Sequence, residues 1–226
     1  MFPPKVLIAA LATLASASVL PLVHPGDGHY MVTRDEAGRE VHTRVSDMTD
    51  AEFEAFRRAN SAAAELEMRW DDEEDPMPLT QAEEKQKRAY LDGRALRLDH
   101  TWCGCGINLH HGECDAATAD LKAGIDRADG IVATNHYSIK GGTVAFACVY
   151  SRRIFSGRQA AEGFQIITNK CGWYVAGTWE QECIETVNDP LDRSCYSYQY
   201  PTTGYMRYTP GLDFCRMATS SNQSRC

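Results

Sequence analysis

Apolar residues recur at helical spacing in three stretches of the chain and crowd consecutive positions in a fourth. Phe53, Phe56, Ala63 and Leu66 follow a Thr49-x-x-Glu52 capping box, with Met48 and Phe53 placed as a hydrophobic staple. A helix is therefore expected over residues 50–69. Ala117, Leu121, Ile125 and Ala128 share one helical face, with Asp115 able to cap its start and Gly130 its end. Ser156-x-x-Gln159 is a second capping box, opening a helix with Ala160, Phe164 and Ile167 on one side and residues 169–172 as its close. Between these two helices, residues 143–150 (TVAFACVY) are apolar on both alternating faces, as in a strand covered on both sides. Residues 173–179 read as a further strand, where Gly177 marks a bulge or a close approach. Two helices packed on one face of a small sheet would bury these stripes, so the expected fold is α+β, a small two-layer α/β sandwich.

Cysteine and charge divide the chain of 226 residues into unlike parts. Lys5, an apolar run over residues 6–14 and Ala15-Ser16-Ala17 have the three parts of a secretory signal, with cleavage expected after Ala17. No other apolar stretch approaches the ~20 residues of a membrane-spanning helix, so no transmembrane anchor is expected. Residues 18–88 hold 17 acidic and 9 basic side chains; residues 89–226 hold 14 and 13. The near-neutral part has no cationic excess to neutralise a phosphate backbone, which argues against a nucleic-acid partner. Five consecutive carboxylates, Asp71 to Asp75, and the prolines Pro76 and Pro78 form a linker, and Lys87-Arg88 follows in a polar setting. These features predict three segments: a signal over 1–17, an acidic segment over 18–88 with one helix and a linker, either a pro-region removed at Lys87-Arg88 or a retained flexible extension, and a cysteine-rich α/β domain over 89–226.

All nine cysteines lie at or beyond position 103. In an oxidising compartment they should be mostly disulfides. Cys103, Cys105, Cys114, Cys148, Cys171, Cys183, Cys195 and Cys215 are the expected paired set, and Cys226, at the terminus, is the expected free thiol. Asn222-Gln223-Ser224 is a glycosylation sequon that marks the tail as exposed.

Chemistry-bearing groupings are few. Cys103, Cys105, His110, His111 and Cys114 fall within twelve residues and have the donor types of a zinc site, but oxidation of the thiols would pre-empt metal binding. A Cys–His nucleophilic pair lacks any supporting surroundings. Glu180, Glu182 and Glu185 offer carboxylates for glycoside hydrolysis, although alternating acids on a strand are ordinarily solvated. No nucleophile elbow, zinc-protease or phosphate-loop signature occurs, so no catalytic residue, metal or cofactor is assigned. Trp173 and Trp179 would share one face of a regular strand, and Tyr196, Tyr198 and Tyr200 another, which suits either core filling or sugar stacking.

The run Cys114-Asp115, Leu121, residues 137–148 (YSIKGGTVAFAC), residues 164–167 (FQII), Cys171 and Gly177 resembles the necrosis-inducing secreted effector family of fungi, itself similar to the killer toxin of smut fungi. The likeness spans about residues 103–183; Cys-Asp stands where the family has Asp-Cys, and the tail beyond Cys183 has no counterpart. It implies a disulfide-stapled α/β-sandwich effector or toxin acting on another organism. The expected function is accordingly a secreted, monomeric protein that binds an extracellular target on a host or competitor cell. The alternative is a secreted hydrolase or carbohydrate-binding protein of the cell surface. From Asn188 on, Pro, Gly, Ser and Tyr dominate, and loops and short strands tied down by cysteines are expected; residues 129–140 and 188–210 are the expected recognition surfaces.

Overall fold

The local signals at the helix starts form as the sequence dictates. In the computed structural model, which describes residues 19–35, 37, 39–71, 95–128, 135–149, 155–186 and 201–226, the Ser156 hydroxyl accepts from the Gln159 backbone while the Gln159 side chain accepts from the Ser156 backbone. This reciprocal cap starts a helix at Gly157–Cys171, which ends on Gly172. Thr49 and Glu52 make the equivalent exchange before a helix at Asp50–Asp71 (α1). Met48 packs against the cluster that contains Phe53, in line with a staple. The helix carrying Ala117, Leu121 and Ile125 spans His111–Ala128 (α2), beginning four residues before the expected cap at Asp115. Gly157–Cys171 is α3, and a single turn at Phe214–Met217 is α4.

Among the described residues seven strands form one antiparallel sheet: β1 Gly28–Arg34, β2 Glu40–Arg44, β3 Ala95–Asn108, β4 Asn135–Lys140, β5 Thr143–Cys148, β6 Val175–Thr186 and β7 Thr202–Arg207. Their spatial order is β2-β1-β4-β5-β7-β6-β3. Successive β5 residues point to opposite faces, and both faces are buried. Ala145 and Ala147 meet α2 and α3 through Leu121, Ile125, Ala160 and Ile167. Val144, Phe146 and Cys148 meet Leu20, Phe214 and Cys215 on the other side. The two helices lie on one face, as expected. The opposite face is covered by the first described residues and the carboxy-terminal tail, which the sequence did not reveal.

The segment expected to stand apart as a pro-region contributes two of the seven strands. β1 pairs with β4 from Gly28↔Ile139 to Val32↔Asn135, and β2 pairs with β1 at the sheet edge. Leu20 is buried between backbone hydrogen bonds to Gly211 and Leu212. Arg127 of α2 donates to the Val45 and Met48 carbonyls and to Asp50, with its guanidinium 4.5 Å from the Phe53 ring centroid. β1, β2, Leu20, Val45 and Phe53 are thus built into the sheet and core, and a boundary at 88/89 divides a single sheet. Asp71, the first carboxylate of the linker, is the last residue of α1, while the rest of the linker, Lys87, Arg88 and Ala17 lie outside the described residues.

Among the described residues three disulfides staple the fold: Cys103–Cys171, Cys105–Cys226 and Cys148–Cys215. They close sequence separations of 68, 121 and 67 residues. Loops of this length correspond to about 4.5–5 kcal/mol each in the chain-entropy account. The expectation for Cys226 is corrected. Its thiol is bonded to Cys105, because the tail does not fray but is held along β3 by hydrogen bonds from Cys103 N to the Gln223 carbonyl and from the Ser221 hydroxyl to the Cys103 carbonyl. Among the described residues Cys114 is the unpaired cysteine. The side chain of Cys183 and all of Cys195 lie outside them. No helix among the described residues is long and apolar enough to cross a membrane.

Candidate functional site

The turn joining α3 to β6 presents an aromatic side chain that the fold does not bury. Cys171 ends α3 and is bonded to Cys103 of β3, fixing the base of the turn. Gly172 follows at φ 104°, a conformation that favours glycine, and its N–H donates to the Thr168 carbonyl. Tyr174 has φ 59°, the one positive value at a non-glycine among the described residues. Such backbone persists only when its surroundings over-determine it. Here the Tyr174 carbonyl accepts from Leu109 N at 2.8 Å, its ring stacks on His111 at 4.0 Å between centroids, and its hydroxyl donates to Asp115 Oδ2 at 3.2 Å. Trp173, held between these two constrained residues, is 75% exposed.

Beside it runs a cleft of about 280 Å³ between α2 and α3. Cys114, Phe164 and Tyr205 are its buried members, and Asp115, Lys122 and Gln165 stand at its margin. Tyr205 lies within 3.4 Å of the Thr168 hydroxyl, and burial pushes its phenol up to about 12. Burial, reinforced by the Asp115 carboxylate, likewise pushes the Cys114 thiol up to about 12. A thiol held protonated in this way is a small apolar wall and a poor nucleophile at neutral pH. Burial, with Asp115 close by, also raises the Tyr174 phenol.

The cysteine–histidine cluster of the sequence is dispersed by the fold. Cys103 and Cys105 are disulfide-bonded to different elements, His111 stacks on Tyr174, and the His110 carbonyl accepts from Cys114 N. No group of three metal-ligating side chains occurs among the described residues. Trp173 and Trp179 do not share a face: β6 begins at Val175, so Trp173 lies in the turn, while Trp179 is buried against α3. Gly177 marks a close approach, since a Cβ there would lie 2.6 Å from Ile167 Cγ2. Glu180 is half-buried in β6; the side chains of Glu182 and Glu185 and residues Tyr196, Tyr198 and Tyr200 lie outside the described residues. Asn222 is exposed. The expected recognition surfaces are partly strand: residues 135–140 are β4, and residues 202–207 are β7, between β5 and β6.

Two features escaped the sequence. One is a cavity of about 480 Å³ on the face opposite α2 and α3, where Trp102, Ala176 and Met206 meet Met217 and the tail. The other is a pair of buried histidines, His29 and His136. No family model, no curated protein and no solved structure matches this chain. Its architecture is that of a disulfide-stapled antiparallel α+β protein with an aromatic turn beside an interhelical cleft.

Proposed function

We propose that this is a secreted recognition protein that acts by binding a target outside the producing cell, in the manner of the effectors and toxins its sequence resembles. The observation that carries the reading is Trp173, an exposed indole on a turn fixed by a disulfide, a ring stack and a strained neighbour. An aromatic side chain ordered before binding loses little conformational freedom on contact, which is why such residues serve as interface anchors. Secretion is supported by the signal-like first 17 residues and by disulfides of long sequence separation.

Cleavage at Lys87-Arg88 would yield a two-piece protein. No cysteine precedes position 103, so no disulfide could tether the amino-terminal piece. β1 pairing and the packing of Leu20, Met31 and Phe53 would hold it instead. The reading is tested with labelled protein on plant, fungal and insect cells, alongside peptide, ester and glycoside substrates. Saturable binding to one cell type without turnover is expected. Turnover abolished by one carboxylate or cysteine change that leaves the protein folded would overturn it.

A further inference from the structure

We propose that the Trp173 cleft binds a neutral sugar ring of an extracellular polysaccharide; this rests on the recognition reading and names its ligand. A pyranose has one face of C–H groups, weakly positive, and an edge of hydroxyls that both donate and accept. The cleft offers complements to both. The face of an indole is the negative pole of its quadrupole, so C–H groups pack on it favourably while their water is released. Trp173 projects such a surface beside the cleft.

At the margin, Asp115 accepts hydrogen bonds, Lys122 donates them, and the Gln165 amide can do either. Gln165 already donates from Nε2 to Asn169 Oδ1 at 3.1 Å, which orients the amide. Asp115 is oriented by the Tyr174 hydroxyl at 3.2 Å. Neither Asp115 nor Lys122 forms an ion pair among the described residues. One charge of each sign at the margin disfavours a strongly charged ligand and suits vicinal hydroxyls.

Size points the same way. About 280 Å³ lies just below the usual ~300–1,000 Å³ range of small-molecule pockets, so the cleft suits one ring of a longer chain rather than a bulky ligand. Phe164 and Tyr205 supply an apolar floor, and the buried Cys114 thiol adds no charge.

The test is titration of the full chain with laminarihexaose, cellohexaose and chitohexaose, followed by tryptophan emission and calorimetry. One of the three should bind with a shift of the emission. Trp173→Ala should weaken that binding at least tenfold, Trp173→Tyr should retain most of it, and Asp115→Asn should weaken it severalfold. Leu22→Ala, at an exposed apolar site elsewhere, should leave it unchanged. Melting curves matching those of the parent protein would establish that the variants are folded. Absence of binding to all three oligosaccharides, or binding indifferent to Trp173→Ala, overturns the sugar assignment. If Trp173→Ala abolishes cell binding while no oligosaccharide binds, the recognition reading stands without it; if cell binding survives Trp173→Ala, that reading falls as well.

Discussion

The imidazoles of His29 and His136 lie nearly parallel, 5.4 Å between centroids, with His136 Nδ1 3.3 Å from His29 Nε2 across the seam between β1 and β4. Both are buried, and two neutral rings can share one hydrogen at this distance. Burial lowers each pKa to about 3, helped at His29 by the Arg127 guanidinium and at His136 by His29 itself. The nearby charges on α2 are Arg127 and Asp120, the latter accepting from the Ser138 hydroxyl and paired with Lys140 of β4. The pair sits where the amino-terminal segment joins the remaining sheet.

Acid should therefore loosen this seam. Unfolded histidine takes up a proton near pH 6.5, whereas both native rings stay neutral to about pH 3. The stabilisation is complete above about pH 6.5 and is lost as pH falls from there toward 3. Each histidine adds a slope of up to about 1.4 kcal/mol per pH unit. Urea midpoints at pH 7.5, 6 and 4.5 should fall steeply for the parent protein and less steeply for His136→Gln. Equal slopes in the two proteins would contradict this account of the pair.

The space over His29 gives a second prediction. A Cβ on Gly124 would lie 1.8 Å from His29 Nδ1, so α2 approaches β1 this closely only with glycine there. Gly124→Ala should destabilise the protein by roughly 1–3 kcal/mol, as overpacking commonly does, despite alanine's better helix propensity. Thermal unfolding measures it. A variant as stable as the parent would mean that β1 and α2 are not in contact at this point.

Removing the amino-terminal segment should expose a strand edge and apolar core. Residues 89–226 alone would leave β4 unpaired on one side and uncover Tyr137 and Ile139, which Tyr30, Val32 and Leu20 help bury. Residues 89–226 expressed alone should be poorly folded or aggregated, and co-expression of residues 18–88 should restore solubility. If the protein is cleaved at Lys87-Arg88, the two pieces should co-purify under native conditions and separate in denaturant without reductant. A truncated protein with the parent's melting temperature would contradict the structural role assigned to β1.

Local signals were legible in the sequence and long-range ones were not. The Ser156 and Thr49 boxes act within three residues, and the faces of α2 and α3 follow from helical period alone. β1 was missed because His29, Tyr30, Met31 and Val32 are all buried, which leaves no alternation to read. β7 (TTGYMR) lies in a stretch that reads as loops and short strands, but its place inside the sheet was not legible, because it rests on threonine and on Gly204, where a Cβ would lie 2.5 Å from the Gly177 carbonyl oxygen. Cys226 could not be placed from sequence, since its partner is 121 residues away. For Trp173 a signal was present but outweighed: Gly172 ends α3, so the strand could not begin until the chain had turned.

Cys114 should resist alkylation. Its thiol is buried and held protonated up to about pH 12, so mass mapping of native protein treated with iodoacetamide should find it unmodified at pH 8 and modified after unfolding. Rapid native labelling would show that the thiol is accessible and ionised.

Recognition through Trp173 is decided by binding isotherms of the full chain, Trp173→Phe and Trp173→Ala on intact cells of the type the parent protein binds, with melting curves for all three. Near-parent binding is expected for Trp173→Phe and at least a tenfold loss for Trp173→Ala at unchanged melting temperature. Equal binding by Trp173→Ala and the parent protein would contradict it.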